Sequence, residues 1–403
     1  MKFALIGERL GHSYSPAIHK KFGYEYDLVE LSQDELSLFV EKNPYQGFNV
    51  TIPYKTLIMP LLDYFDETAL EAGAVNTVVK REGKTCGYNT DIYGMTAALK
   101  NANIILTGKK VLILGSGGTS KTALAVCKRE RAGEAVVISR KGENTYENIH
   151  RHGDAQVIIN TTPVGMYPNT LVSPVDLGSF HRPEGVFDAI YNPLKTELLM
   201  QAEKRQIPYS NGLFMLVAQA AAARNLFLGE EKPADIEKIT RGIIKEKQNI
   251  VLVGMPGSGK TTIGKILAEK TGKTFVDIDS EIEKEEKVTI AELFSVKGEA
   301  YFRERETEKL LESCKKSGQV IASGGGAVLK EINRKAMGQN GVIIRIDRQI
   351  DLLARAGRPL SQSSEKLKEM QQAREEYYKT ADITVNNDGK IEKCVNEILE
   401  KIL

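Results

Sequence analysis

Two glycine-rich turns, each following an apolar run, are where this chain could hold phosphate. Val111 to Leu114 leads into Gly115-Ser116-Gly117-Gly118-Thr119-Ser120 and then the helical pattern TALAVCKRE. Glycines at a strand-to-helix turn let main-chain amides approach a pyrophosphate, whose charge the helix N-terminus favours. Ser120 stands where a third glycine is usual and still permits close packing. Further on, NIVLV leads into Gly254-Met255-Pro256-Gly257-Ser258-Gly259-Lys260-Thr261-Thr262, followed by IGKILAEK. This fits G-x-x-x-x-G-K-[ST]: loop amides cradle phosphates, Lys260 reaches the β- and γ-phosphates, and the Thr261 hydroxyl takes Mg²⁺.

The strand after the first turn bears on the cofactor. AVVIS ends in Ser139-Arg140-Lys141. A carboxylate about 20 residues on would bind ribose hydroxyls, whereas cations suit a 2′-phosphate, so NADP is expected rather than NAD. Arg140 could also be a solvated surface charge. Before residue 95, four polar segments stand out: Ser13-Tyr14-Ser15-Pro16, Asn49-Val50-Thr51-Ile52-Pro53-Tyr54-Lys55, Gly73-Ala74-Val75-Asn76-Thr77 and Asn89-Thr90-Asp91. Ser15 before Pro16 also reads as a helix cap, and Asp91 could cap the helix after it. A lysine ammonium beside a ketone can polarise it and donate a proton, with a carboxylate orienting the lysine.

These residues need sheets to carry them. Apolar runs recur at 3–7, 111–115, 135–139, 157–160, 249–254, 320–323 and 342–346, mostly separated by helical patterns. Such alternation predicts an α/β fold with parallel sheets. The chain has 403 residues, enough for two or three domains. With 55 basic and 53 acidic side chains, the net charge of +2 gives no reason to expect nucleic acid or a membrane surface. Cys86, Cys127, Cys314 and Cys394 are far apart, which argues against a zinc site or disulfide framework and fits a reducing cytosol. The most apolar run, Phe214 to Leu228, is shorter than the roughly 20 residues that span a bilayer and reads as a buried helix. Pro233 and the charged stretch 229–249 read as a helical tail and linker. About fifteen residues separate Arg140 from QVIIN, too few for a full βαβ unit.

In order and spacing, SYS, NVTIPYK, GAVNT, NTD, GSGGTS, SRK, INTTPVGM, DAIYNP and NGLFMLVAQA resemble the shikimate dehydrogenase family over roughly residues 1–240. The resemblance implies a substrate domain at 1–95, completed by a helix at 211–228, and a Rossmann-like NADP domain at 96–210. It implies that Lys55 and Asp91 are the catalytic pair and that Ser13 and Ser15 bind the substrate carboxylate. Thr51, Asn76 and Gln219 would bind ring hydroxyls. Tyr191 and Gly212 would line the joint with the nicotinamide, Asn160 and Thr161 would lie beside the cofactor, and Met166 would lie near the nicotinamide.

The second glycine turn is followed by TFVDID with Asp277 and Asp279, FRERE at 302–306, VIAS leading into Gly324-Gly325-Gly326, Arg358-Pro359-Leu360, and Arg374 in QQAREEYY. Taken singly, these read as a strand end, solvated helix charges and a flexible turn. As a set they resemble shikimate kinase over 249–403, after a tail and linker at 229–248. The resemblance implies ATP and Mg²⁺ as cofactors, a P-loop kinase domain with a parallel sheet, and Asp277 acting through the Mg²⁺ shell. Asp279 would contact ring hydroxyls and accept the proton, Arg303 and Arg374 would clamp the carboxylate, and the glycine triplet would hug the ring. Arg358 would stabilise the transferring phosphoryl group. Only Ala356 and Gly357 separate Arg355 from Arg358, a shorter lid than the family usually has. Together the halves imply 3-dehydroshikimate and shikimate as substrates of a cytoplasmic, two-activity enzyme. A quinate/shikimate dehydrogenase using NAD, another small P-loop kinase, or one non-catalytic regulatory half remain the alternatives, and oligomeric state is not legible.

Overall fold

The apolar runs form three sheets. The computed structural model describes residues 2–11, 13–42, 44–353 and 364–402. The first sheet takes β1 (Phe3–Gly7), β2 (Tyr26–Glu30), β3 (Gly47–Val50), β4 (Tyr64–Phe65), β5 (Thr77–Arg81) and β6 (Lys84–Tyr88), ordered β2-β1-β3-β5-β6-β4. Strand β1 pairs in parallel with β2 and β3, and the β3–β5 and β5–β6 pairs are antiparallel. Helices α1 (Ser15–Lys21), α2 (Leu36–Lys42), α3 (Tyr54–Leu57), α4 (Glu67–Ala72) and α5 (Thr90–Asn101) connect or follow these strands.

The second sheet holds β7 (Lys110–Leu114), β8 (Glu134–Ile138), β9 (Val157–Asn160), β10 (Gly185–Asp188) and β11 (Tyr209–Ser210), ordered β11-β10-β9-β7-β8 and parallel throughout. Alternate residues of a strand face opposite sides, so β7 feeds two cores. Val111 and Ile113 pack in one with Val126 of α6 (Gly118–Arg129), and Leu112 and Leu114 pack in the other with Leu198 and Leu199 of α7 (Glu197–Lys204). Between β8 and β9 lies only a 3₁₀ turn, Ile149–His152, which leaves β8 at the sheet edge. Helix α8 (Gly212–Leu228) is apolar on nearly every face and buried, as a helix enclosed by its own domain should be. It crosses α5 closely: a Cβ on Gly94 would lie 2.6 Å from the Met215 carbonyl oxygen.

One compact unit comprises 1–192 and 196–243, and a second comprises 193–195 and 244–403, the division falling inside α9 (Ile236–Lys247). The second unit has a parallel sheet of β12 (Asn249–Val253), β13 (Thr274–Asp277), β14 (Gln319–Ala322), β15 (Gly341–Asp347) and β16 (Ile383–Asn386), ordered β13-β14-β12-β15-β16. Its helices are α10 (Lys260–Thr271), α11 (Ile278–Glu286), α12 (Ile290–Lys315), α13 (Glu331–Asn340), α14 (Ser364–Tyr378) and α15 (Ile391–Ile402). Ile250, Leu252, Ile344 and Ile346 form its core with Leu267 of α10 and Ile398 of α15. Helix α12 opens on a capping box, Thr289 with Glu292, and breaks at Gly298, whose φ of 80° and ψ of 170° are non-helical. Lys273 closes the C-terminal end of α9, its Nζ donating to the carbonyls of Lys245 at 2.8 Å, Glu246 at 3.0 Å and Gln248 at 2.8 Å.

Two local expectations need correction. Tyr14, not Ser15, is the N-cap of α1 and makes no side-chain cap; Ser15 is the first helical residue, followed by Pro16. Asp279 does not end strand β13: it lies in the first turn of α11, whose N-cap is Asp277, with the side chain accepting from the Ser280 amide.

Candidate active sites

In the first unit, the turn after β3 carries Lys55 on the short helix α3, and the N-terminus of α5 carries Asp91. Asn89, not Asp91, caps α5, accepting from the Ile92 amide at 3.2 Å. That leaves Asp91 free to meet Lys55 Nζ at 2.6 Å, with side chains 7% and 14% exposed. A largely buried pair this close can hold a proton beside a carbonyl and return it.

Behind the pair lies a polar network. Asn76 donates from Nδ2 to Thr90 Oγ1 at 3.0 Å and Gln219 Oε1 at 3.4 Å, and its Oδ1 accepts from the Thr90 amide at 2.7 Å. Helix α8 thus brings Gln219 from far along the chain to Asn76. Asn49 joins through Thr77 Oγ1 at 2.9 Å and is itself fixed by Tyr26 at 2.6 Å. Asn49 and Thr90 were not singled out from sequence, although both stand inside segments that were, beside the residues chosen. Ser13 hydrogen-bonds the Tyr191 hydroxyl, and the Ser15 amide donates to Ser13 Oγ at 3.2 Å. Burial pushes Tyr191 up to about 12, against the hydrogen bonds of Ser13 and the Tyr14 main chain, so its hydroxyl stays neutral. Thr51 lies in the turn after β3, its amide on the Ile6 carbonyl at 3.0 Å.

The glycine turn meets this cluster. A Cβ on Gly118 would lie 3.4 Å from Lys55 Cβ, whereas one on Gly117 would meet nothing within 4 Å. The turn therefore opens onto free space on one side and abuts the lysine on the other, a cradle that fits a dinucleotide. Thr119 and Ser120 lie in the first turn of α6. Gly115, at φ 104°, leaves no room for a Cβ, which would fall 2.9 Å from Thr161 Oγ1. Thr161 is tied to the Leu114 carbonyl at 2.6 Å, and its neighbour Asn160 ends β9. Ser139, Arg140 and Lys141 follow edge strand β8, whose Ile138 is in register with Leu114 at the start of the turn. Met166 is exposed in the loop after β9. Gly212 opens α8, packed so tightly that a Cβ would be 2.0 Å from the Ala189 carbonyl oxygen.

In the second unit, Lys260 is buried at the start of α10 and folds back on its own loop, donating to the carbonyls of Gly254 at 2.9 Å and Met255 at 3.0 Å. Gly257 and Gly259 have φ of 85° and 99°, which glycine tolerates without strain. Asn387, also missed in the sequence, donates from Nδ2 to the Ser258 carbonyl at 2.7 Å and supports the loop from β16. Thr261 Oγ1 donates to Asp277 Oδ2 at 2.7 Å, while Thr262 is exposed. A hydroxyl and a carboxylate side by side at the end of a phosphate loop fit Mg²⁺, which takes most of its other ligands from phosphates and water.

Asp279 is the perturbed group here. Burial, then Glu306 and Asp277, push its pKa up to about 6, against Lys260 and Arg303. Arg303 binds Glu306 Oε2 at 2.8 Å and lies against Gly326, where a Cβ would be 2.4 Å from its Nη1. Arg374 donates to the Gly325 carbonyl at 2.9 Å, so both guanidinium groups converge on the glycine triplet. A Cβ on Gly324 would collide with Glu306 Oε1 at 2.0 Å. That oxygen is buried with no hydrogen-bond partner among the described residues. Glu306 was visible in FRERE but not assigned. Arg358 and Arg355 lie outside the described residues.

A Rossmann-like sheet whose glycine turn abuts a Lys–Asp pair, and a P-loop unit whose glycine triplet gathers an acid and two arginines, define two nucleotide-dependent enzymes on one chain. Residues 5–78 match the shikimate dehydrogenase substrate binding domain and 256–403 match shikimate kinase. An NADP(+) shikimate dehydrogenase of Clostridium perfringens (strain SM101 / Type A) is 36% identical over 249 residues, covering 56% of this chain and 92% of that protein. Shikimate dehydrogenase 1 of Peptoclostridium difficile has 36% identity and a TM-score of 0.56, over 60% of this chain and 97% of that one. The Thermus thermophilus shikimate 5-dehydrogenase, solved with NADP(H) and shikimate, has 29% identity and a TM-score of 0.54, over 60% and 99%. The chain belongs to the shikimate dehydrogenase family and carries a shikimate kinase domain after it, a bifunctional shikimate-pathway enzyme. No described helix is long and apolar enough to cross a membrane.

Proposed function

We propose that the first unit reduces 3-dehydroshikimate to shikimate with NADPH and that the second phosphorylates the 3-hydroxyl of shikimate with MgATP. The observation that carries the reading is the Lys55–Asp91 pair at 2.6 Å, abutting the glycine turn through Gly118. When bound, NADPH supplies hydride and MgATP supplies the phosphoryl group. Lys55 Nζ holds the proton that the new alkoxide needs, and Asp91 orients it. Asn76, Thr90 and Gln219 offer an amide and hydroxyl set to the ring hydroxyls, and Ser13, Ser15 and Tyr191 offer hydroxyls to the carboxylate end. Arg140 and Lys141 support NADP through the charge of its 2′-phosphate. In the second unit Asp279 takes the hydroxyl proton, and Lys260 carries positive charge to the phosphates. Arg303 and Arg374 hold the carboxylate with planar donor forks. Thr261 and Asp277 would hold Mg²⁺.

One coupled assay tests this. Purified chain with 3-dehydroshikimate, NADPH and MgATP should form shikimate 3-phosphate, should accumulate shikimate when ATP is omitted, and should turn over poorly with NADH. Absence of NADPH oxidation would reject the first half; shikimate formed but never phosphorylated would reject the second.

A further inference from the structure

The dehydrogenase chemistry above makes no use of the most deeply buried carboxylate in the first unit. Asp188 ends β10 and is 0% exposed. It accepts three hydrogen bonds. Asn160 Nδ2 at 3.0 Å and the Ile190 amide at 3.0 Å share Oδ1, and Thr196 Oγ1 reaches Oδ2 at 2.7 Å. Each donor belongs to a different piece of the site. Asn160 ends β9, and its own Oδ1 accepts from the Thr162 amide at 3.0 Å and hydroxyl at 2.7 Å, which sets the loop carrying Thr161 against Gly115. Ile190 precedes Tyr191, and its carbonyl accepts from the Gly212 amide at 2.9 Å, at the head of the helix that carries Gln219. Thr196 is the N-cap of α7, its hydroxyl accepting from the Leu199 amide at 3.4 Å.

We infer that Asp188 is a positioning residue for the reduction: one carboxyl group holds the cofactor-side loop at Asn160–Thr162 and the substrate-side segment at Ile190–Tyr191 in a fixed relation. The inference rests on the dehydrogenase reading given above. Burial costs this carboxyl group its usual acidity, pushing its pKa up to about 7 against the Thr196, Ile190 and Asn160 hydrogen bonds. The hub tolerates either protonation state. A protonated Oδ2 can donate to Thr196 Oγ1, while Oδ1 keeps both of its donors. Shape and acceptor capacity, rather than charge, are therefore what the position requires. Asparagine can supply the same pattern, with its Oδ1 accepting twice and its Nδ2 donating to Thr196; alanine cannot.

The test compares Asp188→Ala, Asp188→Asn and Thr196→Val in the full chain. Three readouts are used: NADPH binding followed by its fluorescence, steady-state reduction, and amide exchange at residues 188–192 in the cofactor-free chain. D188A should weaken NADPH binding at least tenfold and raise the KM for 3-dehydroshikimate, with faster exchange at Ile190. D188N should recover binding to within about threefold of the parent. T196V, which removes the Oδ2 donor together with the α7 cap but leaves both Oδ1 donors in place, should fall between them and keeps the test open if D188A fails to fold. Kinase turnover on the same chain calibrates protein concentration. D188A or T196V with parental NADPH affinity and parental exchange overturns the inference. So does D188N as impaired as D188A, and so does a lower kcat with both KM values unchanged, the mark of a merely smaller folded fraction. A parent chain that never oxidises NADPH would instead fail the dehydrogenase reading.

Discussion

The two sites are prepared in opposite ways. In the first unit the reacting groups already hold one another: Lys55 meets Asp91, and Asn76, Thr90 and Gln219 satisfy each other's donors. In the second the groups hold surrogates. Lys260 is bound to its own loop carbonyls, Thr261 to Asp277, and Asp279 is crowded by the like charges of Glu306 and Asp277. Reduction of a ketone needs a proton donor fixed before hydride arrives. Phosphoryl transfer needs positioned charge that its ligands complete. One site is finished by the protein, the other by what it binds.

The largest effect tests the finished site. Lys55→Ala should lose at least about a hundredfold in turnover, the low end of what an acid–base residue supplies, with little change in substrate affinity and normal kinase activity. Near-normal turnover would break the comparison at its stronger end. Next, Glu306→Gln in the kinase keeps shape but removes the charge that steadies Arg303 and repels ionised Asp279. The shikimate KM should rise by about tenfold, the cost of weakening a charge-assisted pair; an unchanged KM would show that Arg303 needs no such support.

A smaller effect follows from Asp279 itself. Its carboxyl group must be ionised to take a proton and titrates at about 6 in the free chain. Kinase kcat/KM should therefore be half-maximal near pH 6 and flat above pH 7, and E306Q should move that limb to lower pH. A profile flat from pH 5 to 8 would deny Asp279 the role. The smallest effect concerns stability. Burial lowers His19 to about 3, below its unfolded value of 6.5, so it contributes stability that is present above pH 6.5 and lost as pH falls toward 3. Asp188, raised above its unfolded value, works in the opposite sense, its contribution lost as pH rises from 3.8 through about 7. The His19 term is isolated by comparison: the fall of Tm between pH 6.5 and 5 should be shallower in His19→Phe than in the parent. Equal slopes would mean that His19 titrates alike in the folded and unfolded chains over that range.

What was legible in the sequence follows a physical rule. Both glycine turns and the buried apolar helix are local patterns, and each reappears as an element. Lys55 with Asp91, and Asn76 with Gln219, are long-range pairs; spacing alone does not join them, and only the resemblance did. The residues passed over, Asn49, Thr90, Glu306, Asp188 and Asn387, are side chains whose role lies in holding another group. Such residues carry no signature until the fold supplies their partners. The short run between Arg140 and QVIIN was a further local signal, and β8 lies at the sheet edge with only a 3₁₀ turn before β9.

Lys273 decides where this chain can be cut. Its ammonium delivers hydrogen bonds to the carbonyls of Lys245, Glu246 and Gln248, all upstream of the first kinase strand. An excised kinase beginning at Asn249, where the strand starts, would lack all three acceptors and leave a half-buried cation stranded at the base of β13. A workable expression boundary lies no later than Ile244, where the second unit begins, so that all three acceptors travel with the kinase.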